Sequence, residues 1–305
     1  MSKWPEWLDE SLQKPLVIGG RQLPGRIWAA SGCFGHGTYG QDILSPDFTS
    51  PFQGIGCVVT KTITLSPRLG NPPPRVWDCG TGALNSIGLE NPGLEKFIAE
   101  IVPELVKNNT PFIASIAGTK PEEFGTMAAA LHKAASRFDN WHGIELNLSC
   151  PNVAHGGVDF GRNIDTIEAC VSAARKAVPD RAVLAKLTPN SASIAPLAQA
   201  AANGGADAIT AINTLIGMDI NLQNGKPVLP RIRGGYSGPA LLPVALSKVD
   251  EIVQQTGIPV VAVGGASSTE DVLKFFAVGA IAVQIGTAMM RDPFTVSKIN
   301  RDLFG

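Results

Sequence analysis

Short runs of β-branched and other apolar residues alternate along the chain with longer stretches of helical spacing. The runs predict strands at Arg26–Ala30, Gly56–Lys61, Pro111–Ile116, Gly143–Leu148, Ala182–Leu187, Asp207–Ile212, Ile258–Val263 and Ile281–Ile285. The spacing between them predicts helices at Pro92–Lys107, Pro121–Ser136, Asp165–Val178, Ile194–Asn203, Pro239–Thr256 and Thr269–Val278, with a last helix at Pro293–Leu303. Strands one to eight in βα alternation predict an α/β fold, a parallel sheet closed into a TIM (β/α)8 barrel with a short N-terminal extension. The strands are nearly continuous apolar runs, as strands buried on both faces should be. No linker or low-complexity tract divides the chain, so residues 1–305 are expected to form a single domain. Residues Trp4 to Leu16 precede the repeat, and a cap on the barrel bottom is their expected use.

Composition narrows the possible partners. The chain has 305 residues, 44% of them hydrophobic, with 25 Lys and Arg against 26 Asp and Glu. No basic field is present to recruit nucleic acid or an anionic membrane. No apolar core follows Lys3, as a signal peptide would require, and no run approaches the roughly 20 apolar residues of a membrane helix. The cysteines Cys33, Cys57, Cys79, Cys150 and Cys170 are scattered, with no C-x-x-C pair. The chain is therefore expected to be cytoplasmic, with reduced thiols and no metal site.

Barrel enzymes work at the C-terminal ends of their strands. Strand four runs into Asn147-Leu148-Ser149-Cys150-Pro151-Asn152, where Pro151 stops the strand. Gly156, Gly157 and Gly161 follow and read as a loop. Cys150 is a candidate proton acceptor or nucleophile; the bland alternative is a small buried hydrophobe. Lys61 and Lys186 stand at the ends of strands two and five, where a lysine is costly unless it meets an anion or a polar ligand. Ser31 follows strand one, Ser115 lies in strand three, and Ile212-Asn213-Thr214 ends strand six. In the connection to strand three, Asn85 and Asn91 have the donors and acceptors to bind a planar amide, though asparagine serves as often in turns. Gly264-Gly265 after strand seven and Gly286-Thr287 after strand eight form the glycine pair that barrels use for phosphate. Gly234-Gly235-Tyr236-Ser237-Gly238-Pro239 adds further donors.

In combination, Asn147–Asn152, the stretch Asn85-Ser86-Ile87-Gly88-Leu89-Glu90-Asn91-Pro92-Gly93 and the paired glycine loops resemble class 1 dihydroorotate dehydrogenases from about Ala29 to Arg291. A cysteine at Cys150 and the lack of an N-terminal membrane helix point to class 1. Gly234–Pro239 and Asn71-Pro72-Pro73-Pro74-Arg75 are most similar to the 1B subgroup. The resemblance implies FMN-dependent oxidation of dihydroorotate to orotate in pyrimidine biosynthesis, with Cys150 as general base. It implies FMN contacts at Ser31, Lys61, Thr62, Asn147, Lys186, Ile212, Gly238, Gly264, Gly265, Gly286 and Thr287. Ser115 occupies a further flavin position where the family usually has asparagine. Substrate contacts are implied at Lys61, Asn85, Ser86, Ile87, Gly88, Leu89, Asn147, Asn213 and Thr214. It also implies a homodimer core or heterotetramer, with a partner subunit that carries FAD and a [2Fe–2S] cluster and passes electrons to NAD. The competing readings are a flavin-dependent dihydropyrimidine dehydrogenase, a non-redox phosphate-binding isomerase or lyase, and a silent scaffold subunit.

Overall fold

The computed structural model describes residues 8, 10–38, 45–48, 50–149 and 160–304. Cys150, Pro151, Asn152, Gly156 and Gly157 lie outside the described residues, as does Trp4. Eight parallel strands close into a barrel: Ile27–Ala29, Cys57–Val59, Phe112–Ile116, Trp141–Asn147, Ala182–Leu187, Ala208–Ala211, Val260–Val263 and Ala282–Ile285. Each pairs with its neighbours in chain order, and strand eight returns to strand one through Gln284 opposite Trp28. These are the eight strands of the sequence pattern, mostly shortened at their ends. Among the described residues no helix is long and apolar enough to cross a membrane.

Strand parity sorts the side chains. Ile27, Ala29, Val58, Ile144, Leu146, Ile209 and Val283 pack outward under the helices, in the large core that also holds Phe124, Leu131, Val171 and Phe275. Residues of the opposite parity point into the barrel: Trp28, Cys57, Val59, Ile113, Leu184, Ala208, Val261 and Ala282. Above this apolar layer the same parity continues with Ser115, Glu145, Asn147, Lys186, Thr210 and Gln284. The interior is thus greasy below and polar above.

The N-terminal extension closes the lower end. Leu16–Ile18 and Arg21–Leu23 form an antiparallel hairpin across Gly19 and Gly20. Both glycines have positive φ, 58° and 73°, as a two-residue hairpin turn of the type I′ class requires. Leu16, Ile18 and Leu23 pack against the inward apolar layer. Arg26, almost fully buried, ties the preceding segment down: its guanidinium donates to the carbonyls of Leu12 (2.7 Å), Lys14 (2.9 Å) and Ile281 (2.6 Å). The cap is thus formed mainly by the hairpin that follows Trp4–Leu16, while Leu8 and Leu12 of that segment join the outer core.

The first long helix departs from the predicted spacing. It runs as α-helix over Leu94–Lys96, widens to a π-turn over Phe97–Ile101, and resumes over Val102–Lys107. Pro103 has no amide to donate to residue 99 and its ring crowds that carbonyl, so an extra residue in the preceding turn relieves the clash. Four short strands that the hydrophobic pattern does not announce, Val76–Asp78, Ala83–Asn85, Leu215–Gly217 and Gly234–Ser237, form a small antiparallel sheet. This sheet carries Asn85 and Ser237, and Leu215–Gly217 starts just beyond Asn213 and Thr214, at the C-terminal end of strand six.

Two buried histidines make the fold acid-sensitive. Burial, aided by Arg21 and Arg181 and opposed by Asp139, brings His142 from the usual 6.5 to about 4. Burial and the charge of Lys61 bring His36 to about 4 as well. Both rings are neutral when folded, whereas the unfolded chain takes up protons below 6.5. Their contribution to stability is therefore complete above pH 6.5 and is lost as pH falls toward 4. The urea midpoint should drop between pH 7 and pH 5; a flat profile over that interval would contradict the burial argument.

Candidate active site

The C-terminal ends of the strands gather the polar residues singled out by the sequence. Ser31 donates to the Thr60 carbonyl (2.8 Å), and its hydroxyl lies 3.2 Å from Thr62 Oγ1. Thr62 Oγ1 meets Ser115 Oγ at 2.8 Å. Asn147 Nδ2 reaches the same Thr62 oxygen at 3.4 Å, and Asn147 Oδ1 accepts from Asn213 Nδ2 at 3.2 Å. Asn213 Oδ1 accepts from the Thr214 amide (2.9 Å). One hydrogen-bonded line thus joins the ends of strands one, two, three, four and six. Ser115 is fully buried and engages the site through Thr62. This is a physical consequence of serine standing there: its short hydroxyl reaches the neighbouring threonine, where a longer amide would extend past it.

The loop at Asn85–Leu89 is held from one side. Asn71 Nδ2 donates to Ser86 O (3.1 Å) and Ser86 Oγ (2.9 Å), and the Asn71 amide donates to Ile87 O (3.0 Å). A side chain on Gly88 would collide with Asn71 at 2.7 Å. Asn85 Nδ2 donates to Gly235 O (3.2 Å). Leu89 has a positive φ of 54°, and its carbonyl accepts from Asn91. Asn91 also donates to Thr64 Oγ1 and accepts from the amides of Thr64 and Gly93, so its amide is consumed by the turn. Of the two asparagine readings, the structural one holds for Asn91. Lys61 Nζ is 4.0 Å from Glu90, which also receives Arg75 at 2.5 Å.

The glycine loops converge on one side of the opening. Gly265 (φ 82°) is packed so closely on the next helix that a Cβ would stand 2.4 Å from the Leu242 amide nitrogen. Gly264 has φ 134° and lies beside Ile212, which is itself tied to strand seven through Val263 O (2.7 Å). Gly238 caps the helical turn Pro239–Leu241. Thr287, just after Gly286, donates to Ser237 Oγ (2.9 Å) and so links the loop after strand eight to the Gly234–Pro239 stretch. Backbone without side chains, next to the start of the helix Leu242–Thr256, suits a phosphate group. The residues fit FMN: a bare-backbone cradle for its phosphate and, across the opening, amides, hydroxyls and a lysine for its ring.

Lys186 is buried to 7% exposure at the top of the barrel interior. Its Nζ stands 3.8 Å from Glu145 Oε1. Glu145 is fully buried; its Oε2 accepts from Thr210 Oγ1 (2.9 Å) and Gln284 Nε2 (2.8 Å). The sequence reading singles out Lys186 and passes over Glu145, Thr210 and Gln284. The signal was present: an acid between Ile144 and Leu146, in a strand buried on both faces, needs a partner. Cys33, after strand one, also lines this region, since a Cβ on Gly286 would lie 3.3 Å from its sulfur. Burial raises the Cys33 thiol and Lys186 only partly counters it, so this sulfur stays protonated near neutral pH.

Comparison with known proteins agrees with this arrangement. The family model described as dihydroorotate dehydrogenase matches residues 16–304. The chain belongs to the dihydroorotate dehydrogenase family. It is 41% identical over 286 residues to a protein of Carboxydothermus hydrogenoformans named dihydroorotate dehydrogenase B (NAD(+)), catalytic subunit, covering 94% of this chain and 90% of that one. Proteins of the same name from Bacillus mycoides and Bacillus pumilus are 44% and 42% identical, over 94% of this chain and 89% of each relative. These relatives are of the B type that Gly234–Pro239 and Asn71–Arg75 indicate.

Proposed function

We propose that this chain oxidises dihydroorotate to orotate in pyrimidine biosynthesis, as the catalytic subunit of a cytoplasmic enzyme that passes its electrons to NAD. The observation that carries the reading is the hydrogen-bonded line Ser31–Thr62–Asn147–Asn213, which faces the glycine loops of strands seven and eight across one opening. In this reading residues 1–305 act as one FMN-binding barrel.

Forming the ring double bond removes a proton from one carbon and a hydride from its neighbour. FMN, when bound, supplies the hydride acceptor. Cys150, assigned from its place after strand four, takes the proton. Its ordinary pKa of about 8.5 requires help from its surroundings or from pH. Lys61 opposes the substrate carboxylate, and Glu90 with Arg75 limits where that ammonium can go. Asn85, Asn147, Asn213 and Thr214 hold the ring in register, with backbone donors from Ser86 to Leu89 at its carboxylate end. Gly264, Gly265, Gly286, Thr287 and Gly238 would cradle the FMN phosphate and its neighbourhood, and Ser31, Thr62, Lys186 and Ile212 would hold the ring. Lys186 offers positive charge where negative charge develops.

The relatives' name, a catalytic subunit, supports a partner chain, and the resemblance to the 1B subgroup makes that partner an electron-transfer subunit carrying FAD and a [2Fe–2S] cluster. The chain would assemble as a homodimer core or, with that partner, as a heterotetramer.

Purified protein should be yellow, with one FMN per chain, and should bleach under anaerobic addition of dihydroorotate but not dihydrouracil. The isolated chain should reoxidise with dyes and reduce NAD poorly. A colourless protein would refute the flavin reading, and rapid NAD reduction without a partner would refute the two-subunit assignment.

A further inference from the structure

A buried carboxylate beside a buried lysine needs a reason, because apolar residues of similar volume fill a barrel interior at lower cost. Glu145 has no route to solvent. It is held from three other strands: Thr210 of strand six and Gln284 of strand eight both donate to Oε2, and Lys186 of strand five faces Oε1 at 3.8 Å. Oε1 has no hydrogen-bond partner, and neither has Gln284 Oε1. Two neutral donors thus fix one oxygen and leave the other turned toward the ammonium. A glutamine could accept the same two hydrogen bonds; what the carboxylate adds is charge.

We propose that Glu145 is a positioning residue that holds the Lys186 ammonium at the top of the barrel interior and offsets part of its charge, so limiting the preference of the site for reduced over oxidised flavin. The proposal rests on the reading of this opening as a flavin site. Two-electron reduction by hydride leaves the flavin more negative than before. A lysine near the ring favours that form, and a carboxylate immediately behind the lysine works against it. Glu145 lies one layer below Asn147 on the same strand face, so it acts through Lys186 without touching the ring.

The test is the ratio of FMN dissociation constants, oxidised over reduced, measured by titrating flavin-stripped protein anaerobically. Glu145→Gln should raise this ratio about tenfold, equivalent to a midpoint some 30 mV more positive for two electrons. In a Lys186→Met background the same substitution should change the ratio little, because the lysine that transmits the effect is gone. An unchanged ratio in Glu145→Gln, with a cooperative melt, overturns the proposal, and so does a rise that persists in full without Lys186. If Glu145→Gln does not fold, Glu145→Asp answers the same question: the carboxylate withdraws by one methylene, and the ratio should rise by a smaller factor, with no change again overturning the proposal. Wild-type protein that binds no FMN refutes the flavin reading and this inference with it. FMN binding with an unmoved ratio refutes this inference alone.

Discussion

Cys150→Ala is expected to slow the reduction of FMN by dihydroorotate about 10²–10⁴-fold, the usual worth of a positioned general base, with FMN binding retained. The assignment is what the resemblance to class 1 dihydroorotate dehydrogenases implies. Strand four ends at Asn147, which sits at the centre of the polar line across the opening, and Cys150 comes three residues later. Cys33, a described cysteine after strand one, has its thiol raised by burial and so stays protonated near neutral pH. Cys150→Ser should fall between wild type and alanine at neutral pH and recover in part at high pH. In wild type the reduction rate should rise with pH and level off near the thiol's pKa. If Cys150 served only packing, alanine would lower the melting temperature and leave the rate alone. Stopped-flow absorbance of the flavin band, set beside a melting curve for each variant, separates the two. A wild-type rate in Cys150→Ala would remove this residue from the mechanism.

The second large effect concerns stability. Lys186→Met should destabilise the flavin-free protein by about 3 kcal/mol, toward the lower end of the cost of breaking a buried ion pair. The methionine fills similar space, but Glu145 is left fully buried with no cation. Thr210 and Gln284 still donate to it, which keeps the loss near the lower end. The double variant Lys186→Met/Glu145→Gln should recover most of the loss, since neither charge then remains. Urea denaturation of the four proteins gives the coupling directly. Equal midpoints for the single and double variants would mean that Glu145 is satisfied without Lys186.

The barrel was legible because a strand buried on both faces must be apolar nearly throughout, and eight such runs separated by helical spacing leave little choice of fold. Lys61, Lys186 and Asn147 were legible because polar residues at the ends of such runs are conspicuous. Glu145 is easily passed over, for an instructive reason: it lies inside a run, at Gly143-Ile144-Glu145-Leu146-Asn147, where a single acid can be taken for one step of an alternating strand instead of a buried charge in need of a partner. Only the shared parity of Glu145 with Asn147, and of Lys186 with Leu184, places both in the same interior. The small sheet of four short strands was hidden because each is only three or four residues long, too short to show a period, and is held by pairing with distant segments. For Asn91 the turn role stood beside the binding one in the sequence, and only its partners in the folded loop, Thr64 and Leu89, decide between them.

The hairpin at residues 16–23 and the Arg26 clamp have a consequence for traffic. With Leu16, Ile18 and Leu23 seated against the apolar floor, the described residues close the lower end of the barrel. A small acid that reaches the polar line must therefore come by the end where the strands finish. A partner that docks there must leave a gap for a small acid or take turns with it.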